Sequence, residues 1–488
     1  MAETPSDGRS EPDIAVADLL GLVARFRLPV EIVAGSPSNR VSSITHDSRN
    51  VAPGTLFGCI RGTRHDGHRF AADAVASGAT ALLVEDPVDG LADSVAQIRV
   101  DDTRAAIGPF AAALHGFPSD RMTVVGVTGT NGKTSTCHFV SAVLRRAGIT
   151  TETLGTLRGG FTTPEAADLQ RMFAGFVDAG VAAVVMEVSS HALALHRVDG
   201  TTFAAAVFTN LSQDHLDFHG DMESYFGAKS MLFDPRFSPV GVVNADDPYG
   251  RRIISSGSVR TVPFSTTDLG EVRVGVVDAS FTWSGHRVTI PMGGRVNVAN
   301  ALAAATVCRE LGIDDETIVA GLAGAEQVPG RYERVPISTD FVVIVDYAHT
   351  PDGLSRLLES LRESGPAGRI VVVFGCGGDR DTAKRPLMGA IAAQNADVVL
   401  ITSDNPRRED PLSIIEQIVA GVPEDLRSRV AGVETDRRRA IFQALDLART
   451  GDIVVIAGKG HEVTQTIGSE VLPFDDRSVV REWEERAA

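Results

Sequence analysis

Lys133 and Thr134 close the stretch Gly126-Val127-Thr128-Gly129-Thr130-Asn131-Gly132-Lys133-Thr134, a composition suited to holding a triphosphate. Glycines let backbone N–H groups close around phosphate oxygens, and a helix beginning at the lysine adds the positive end of its dipole. The lysine would neutralise the terminal phosphates, and the threonine would place a hydroxyl on Mg²⁺. In one respect the loop departs from the usual spacing: Val127 stands where the first glycine would fall, and Gly129 comes three residues before Gly132. Context carries the assignment. An apolar run from Met122 to Val127 precedes the loop, and a helix-compatible run from Ser135 to Ala147 follows it.

Further residues with usable chemistry follow other apolar runs. Glu187, after Ala182–Met186, fits the carboxylate that a magnesium–nucleotide site needs, since magnesium takes few protein oxygens and leaves the rest to water and phosphate. His191 lies four residues on, and Asp214 and His215 follow the run Ala204–Phe208. The histidines are scattered and form no H-E-x-x-H or Cys–His set, which disfavours zinc. Lys229, in the helix-like segment Tyr225–Phe233, reads by itself as a surface lysine. Asp404, Asn405, Pro406 and Arg407 fall in Asp-Asn-Pro-Arg-Arg-Glu-Asp-Pro, where two prolines are expected to keep 404–411 out of helix. A carboxylate, an amide and a guanidinium on one shaped loop could grip a zwitterion, Arg taking its carboxylate and Asp its ammonium.

These residues need a scaffold that delivers strand ends to one place. The 488 residues exceed one ordinary core and imply about three domains. Strands alternating with helical stretches predict an α/β fold with mostly parallel sheets, whose ligands sit at the carboxyl ends of the strands. We expect an N-terminal α/β domain over 1–118, a central phosphate-loop domain over 119–331 and a C-terminal Rossmann-like α/β domain over 332–488. The more β-rich run Val259–Ile290 reads as an inserted small sheet. A net charge of −17 disfavours nucleic-acid and anionic-membrane partners. Four dispersed cysteines fit a reducing compartment. Met1–Pro12 has no apolar core of a signal peptide, and no run approaches ~18 apolar residues, so a cytoplasmic location is expected.

Taken in order, GTNGKT, EVSSHAL, TNLSQDHLDFHG, PGRYE, DYAHTPD, FGCGGDRD, SDNPRRE and GKGHE strongly resemble the Mur ligases of peptidoglycan synthesis. Asp47-Ser48-Arg49, Pro53–Phe57 and Asp66-Gly67-His68 resemble that family's uridine-nucleotide-binding domain, and Thr162-Thr163-Pro164 its substrate loop. The resemblance is greatest to the type that joins 2,6-diaminopimelate to UDP-N-acetylmuramoyl-L-alanyl-D-glutamate. It implies that Gly129, Thr130, Asn131, Gly132, Lys133 and Thr134 hold ATP, with Asn300, Arg331 and Asp346 near the nucleotide. Ser48, Thr162, Thr163, Ser189 and Arg197 would contact the UDP-muramoyl-dipeptide. Arg385, Asp404, Asn405, Pro406, Arg407, Gly458 and Glu462 would form the pocket for meso-diaminopimelate. Thr134, Glu187, His215 and Lys229 would serve two Mg²⁺ ions, Lys229 as its carbamate. Lys133, Glu187, His215 and Lys229 would thus be catalytic, in a monomer. Two departures, Gln213 in place of Arg and Leu195 in place of Gln, bear on the substrate contacts. Ligation with L-lysine, a folylpolyglutamate-synthase-like ligation, and a non-catalytic ATP-sensing relative stay open as alternatives.

Overall fold

The computed structural model describes residues 12–62, 65–364 and 368–487. Its central body is a six-stranded, wholly parallel sheet, in the spatial order Arg260–Phe264, Val240–Asn244, Ala205–Phe208, Thr123–Thr128, Ala183–Glu187, Thr151–Leu154. Successive side chains of a strand point to opposite faces, so a run buried on both sides can be apolar throughout. Val125 and Val127 accordingly pack against helices Lys133–Arg146 and Arg295–Glu310, while Val124 packs on the other face with Leu169 and Phe173 of helix Ala166–Asp178. The phosphate-loop strand lies in the middle of the sheet, flanked by the strands that end at Glu187 and Phe208.

The expectation for Val259–Ile290 needs correcting. Only Gly270–Val274, Ala279–Trp283 and His286–Ile290 form a separate three-stranded antiparallel sheet. Arg260–Phe264 is instead the edge strand of the central sheet. It is fastened there beyond its ladder, because Asp246 accepts hydrogen bonds from Ser265 and Thr266 just past the strand.

The last third builds a second six-stranded sheet, ordered Glu333–Val335, Val342–Asp346, Ile453–Ala457, Ile370–Phe374, Val398–Thr402, Val430–Glu434. All its pairs are parallel except the first. Helices Pro351–Ser364, Lys384–Asn395 and Pro411–Ala420 cover one face; Arg437–Leu447 and Asp476–Ala487 cover the other. The N-terminal part carries a five-stranded sheet, Val30–Ala34, Ala96–Val100, Ala79–Val84, Thr55–Gly58, Ser43–Thr45. Its helix Thr103–Leu114 packs on the central helix Ala166–Asp178. All four cysteines are buried free thiols. Among the described residues, no helix is long and apolar enough to cross a membrane.

One fully buried ion pair organises the C-terminal sheet. Arg437 donates through Nε and Nη2 to the two carboxylate oxygens of Asp476, each at 2.8 Å; Nη2 donates also to the Ala457 carbonyl (3.0 Å), and Nη1 to the Ser403 carbonyl (3.4 Å). Removing one member would strand the other charge without solvent. Asp476→Ala should therefore cost about 3–5 kcal/mol, whereas an apolar replacement of both residues should cost far less. Urea denaturation of the two variants tests this, and equal losses would contradict it.

Candidate active site

Glu187 and Asp346 end strands, and the phosphate loop and Asp404–Arg407 follow strand ends directly, whereas Lys229, Asn300 and Arg385 come from helices. Thr123–Thr128 runs into the loop 129–132, and helix Lys133–Arg146 starts at the lysine. Gly132 has φ 84°, and a Cβ there would collide with the side-chain oxygen of Asn300. Gly129, at φ 148°, would collide with the Thr209 hydroxyl. Both positions therefore require glycine. The loop is also held by side chains absent from the sequence-based site. Thr209 Oγ1 and Asn210 Nδ2 donate to the Asn131 carbonyl at 2.6 and 3.0 Å, and Asn131 N donates to Asn210 Oδ1 at 2.9 Å. Their place directly after strand Ala205–Phe208 is the signal that could have found them.

The two lysines converge on one carbonyl. Lys133 Nζ donates to Gly129 O and Thr130 O, each at 2.8 Å, and Lys229 Nζ donates to Gly129 O at 2.8 Å. Lys229 is only 1% exposed, so it is not the surface lysine its local sequence suggested. Burial, reinforced by Lys133, pushes its ammonium well below the usual lysine range. Its Nζ stands 4.8 Å from the ring centre of buried Tyr225, whose hydroxyl is 3.1 Å from Thr130 Oγ1. Burial also lowers the Lys133 ammonium, with Arg331 adding to the effect and Glu187 opposing it.

On the neighbouring strand, Glu187 Oε1 accepts from Thr134 Oγ1 at 3.0 Å and from Thr156 N at 3.0 Å. Two oxygen atoms able to ligate a cation thus stand side by side beside the phosphate loop. Among the described residues no three His, Cys, Asp or Glu side chains converge as a metal cage. Magnesium does not need one, since phosphate and water complete its octahedron. His215 has a left-handed backbone, φ 54°, and its ring lies 4.8 Å from His191 and 6.1 Å from Tyr225. Burial lowers the pKa of His215, and it brings His191 to about 4, so both imidazoles are neutral and free to ligate at neutral pH.

A cavity of about 310 Å³ brings together Thr130–Thr134, Thr162, Glu187, Ser189, His215, Asn300, Arg331 and Asp346. Asp346 accepts from Tyr332 N (2.6 Å) and Ala348 N (2.7 Å), and burial raises its pKa although Arg331 opposes that. The Arg331 guanidinium lies 4.3 Å over the Tyr347 ring. Asn131 Nδ2 donates to Asp352 Oδ2 at 3.1 Å, tying the phosphate loop to the C-terminal part of the chain. Thr163, 1% exposed, donates to the Glu187 carbonyl at 2.9 Å and accepts from Ser189 N at 3.1 Å. Arg197 donates to Thr163 O at 3.3 Å and pairs with Glu165 at 2.7 Å. Ser48 lies apart from this cavity, half-buried in a turn of the N-terminal part.

The remaining candidates form a second group at the carboxyl ends of Val398–Thr402 and Ile453–Ala457. Asn405 Nδ2 donates to Glu462 Oε2 at 2.9 Å, and the fully buried Lys459 donates to the same Glu462 oxygen at 3.0 Å. Gly458 is needed there because a Cβ would stand 2.7 Å from Asp404 Oδ2. Arg407 is half-buried and spends one guanidinium nitrogen on Gly378 O at 2.8 Å. Arg385 differs: it is fully buried, and its fork is taken by both oxygens of Glu409 (2.8 and 2.9 Å) and by Gln417 (3.0 Å). Pro406 keeps its loop irregular, but Pro411 opens helix Pro411–Ala420, with Asp410 capping it. The groups are linked through His461, adjacent to Glu462, whose ring lies 5.1 Å from Tyr347.

The chain that carries this phosphate loop, Thr–Glu oxygen pair and buried lysine is similar to known proteins. Residues 127–308 match the Mur ligase middle domain, 330–460 the Mur ligase glutamate ligase domain, and 40–115 the Mur ligase family catalytic domain. The chain is 47% identical over 469 residues to UDP-N-acetylmuramoyl-L-alanyl-D-glutamate--2,6-diaminopimelate ligase of Gloeobacter violaceus, covering 91% of this chain and 94% of that one. It belongs to the Mur ligase family. A solved structure of a UDP-N-acetylmuramoyl-L-alanyl-D-glutamate--2,6-diaminopimelate ligase is 31% identical and superposes with a TM-score of 0.69 over 97% of this chain and 99% of that one. A Mycobacterium tuberculosis folylpolyglutamate synthase, solved with ADP and AMPPCP, shares the fold at 22% identity and a TM-score of 0.58, but covers 71% of this Mur ligase and 91% of its own chain.

Proposed function

We propose that this Mur ligase is an ATP-dependent amide ligase that adds meso-diaminopimelate to UDP-N-acetylmuramoyl-L-alanyl-D-glutamate in cytoplasmic peptidoglycan-precursor synthesis. The observation that carries the reading is the convergence of Lys133 and buried Lys229 on the Gly129 carbonyl, next to the Thr134–Glu187 pair. Similarity to the diaminopimelate-adding relatives along nearly the whole chain supports the choice of substrates. The folylpolyglutamate-synthase-like alternative accounts for less of the chain, 71% of it against 97% for the diaminopimelate-adding ligase structure.

A carboxylate is a poor electrophile and must be activated. An oxygen of the substrate's glutamyl carboxylate attacks the γ-phosphorus of ATP, the bond to the β-phosphate oxygen breaks, and an acyl phosphate and ADP result. The neutral amine of diaminopimelate then attacks the acyl carbon; phosphate leaves with its bonding pair, and the amine gives up a proton to form the amide. Lys133 and the loop's N–H groups hold the phosphates in line and offset the repulsion between two anions. Thr163, Ser189 and Arg197 form the wall along which the acceptor lies, and Ser48 contacts its nucleotide end. Arg331, Asn300 and Asp346 border the nucleotide. Thr134 and Glu187 would hold one Mg²⁺, and His215 with Lys229 would support a second. When bound, these ions supply charge screening and Lewis acidity at the transferring phosphoryl group. A neutral lysine amine can take up CO₂ and release a proton, giving a carbamate that ligates where an ammonium would repel.

ADP release should require the muramoyl dipeptide, and tripeptide product should appear only when diaminopimelate is added. ATP turnover indifferent to both would reject the ligase reading in favour of an ATP-sensing role. Lys133→Ala should lower kcat by about 10²–10³ with the fold retained, because this side chain serves phosphate charge rather than core packing. Near-normal turnover in the folded variant would remove the phosphate-loop assignment.

A further inference from the structure

Arg407 has φ 51°, a left-handed backbone conformation that a non-glycine residue keeps only when its surroundings impose it. What imposes it is the hairpin Thr464–Ile467/Glu470–Pro473. Arg407 N donates to Thr466 O at 3.0 Å, and Gly468 N donates to Arg407 O at 2.6 Å, so both backbone groups of the arginine are held by the hairpin. The same strand continues along the loop. Thr466 N donates to Asn405 Oδ1 at 2.9 Å, and the Gln465 side chain, 7% exposed, donates to Asp404 O at 2.7 Å. Beneath them, buried Lys459 joins Asn405 Oδ1 (3.3 Å) to Thr464 O (2.6 Å).

We propose that this hairpin is a specificity-positioning element: it templates the loop 404–407 so that the Arg407 guanidinium meets the distal carboxylate of the incoming amino acid. The hairpin itself touches no substrate. The inference rests on the assignment of Arg407 to the amino-acid pocket. It extends that assignment by locating the determinant of selectivity partly in a surface ribbon. Gly468, at φ 61° with open space around it, is the joint at which the template can be broken without crowding the pocket.

Gly468→Pro removes the N–H that holds the Arg407 carbonyl and forbids the left-handed φ. Gly468→Asn keeps the N–H and tolerates that φ. With the full chain, kcat/KM is measured for meso-diaminopimelate and for L-lysine, together with KM for ATP. Gly468→Pro should lower kcat/KM for diaminopimelate at least about tenfold, leave L-lysine within about twofold and leave KM for ATP unchanged, while Gly468→Asn stays near the parent. Gln465→Ala, a milder change, should move selectivity in the same direction and serves if the proline variant fails to fold. Equal losses with both amino acids would reduce the hairpin to a general structural role and overturn the proposal. Selectivity lost in Arg407→Ala but retained in both hairpin variants would also overturn it. Selectivity unchanged in Arg407→Ala would instead overturn the pocket assignment underneath.

Discussion

Arg407→Ala is expected to erase a preference for meso-diaminopimelate over L-lysine that approaches ~10⁴ in the parent enzyme. The two amino acids differ by one carboxylate at the far end of the side chain. A charge-assisted hydrogen bond contributes about 1.5–3 kcal/mol, so a bidentate pair with Arg407 gives well over tenfold by itself. Rejection of lysine adds to this, because a half-buried guanidinium would be left without its anion. The Arg407 fork keeps donors to spare, since one nitrogen is committed to Gly378 O and the backbone is fixed independently of the side chain. Arg385 cannot substitute in this geometry, because Glu409 already occupies its fork. Its part is to brace Glu409, which in turn accepts from Asp379 N at 2.5 Å. On the same distal centre, Asp404 and Glu462 would read the ammonium. Equal kcat/KM for the two amino acids in the parent enzyme would reject this assignment.

Lys229→Ala should lower turnover by about 10³, comparable to losing a principal charge-stabilising group at a phosphoryl-transfer site. Burial opposes the charge on the Lys229 amine and so favours its reaction with CO₂, whereas an ordinary exposed lysine is almost wholly protonated. Short carboxylic acids should partly restore the alanine variant by occupying the vacated space. The parent enzyme stripped of CO₂ should lose activity and regain it with bicarbonate. Intact-mass measurement is decisive in the other direction: a fully active enzyme carrying only unmodified lysine would refute the carbamate.

Much of the fold and site is legible in the chain, and the reasons are local. Glycine, lysine and threonine at fixed spacing after a β-branched run can hardly be anything but a phosphate loop, and parallel strands deliver whatever follows them to one edge. Lys229 is opaque by contrast. Its burial comes from Tyr225 and from Gly129, 100 positions away, and nothing in its own helix reports the distant partner. Arg385 is opaque for the same reason: a guanidinium offered to a ligand and one committed to Glu409 have the same letters around them. The edge strand Arg260–Phe264 escapes a reading by composition because strand propensity does not say which sheet a strand joins; its partners, the strand Val240–Asn244 and the Asp246 carboxylate, lie outside the run.

The buried Arg437–Asp476 pair reaches further than its own stability. Its guanidinium grips the carbonyls of Ser403 and Ala457, the points from which the chain turns into Asp404–Arg407 and Gly458–Glu462. The carboxylate that steadies this guanidinium is the first residue of the last helix, Asp476–Ala487. That helix, on the far side of the sheet, is therefore the counterweight of both pocket loops. A fragment trimmed before residue 476 should keep its nucleotide affinity while its KM for diaminopimelate rises, a result that calorimetry with ATP and steady-state titration of the amino acid would separate. For anyone engineering shortened versions of this enzyme, the tail that looks most expendable is the one to leave intact.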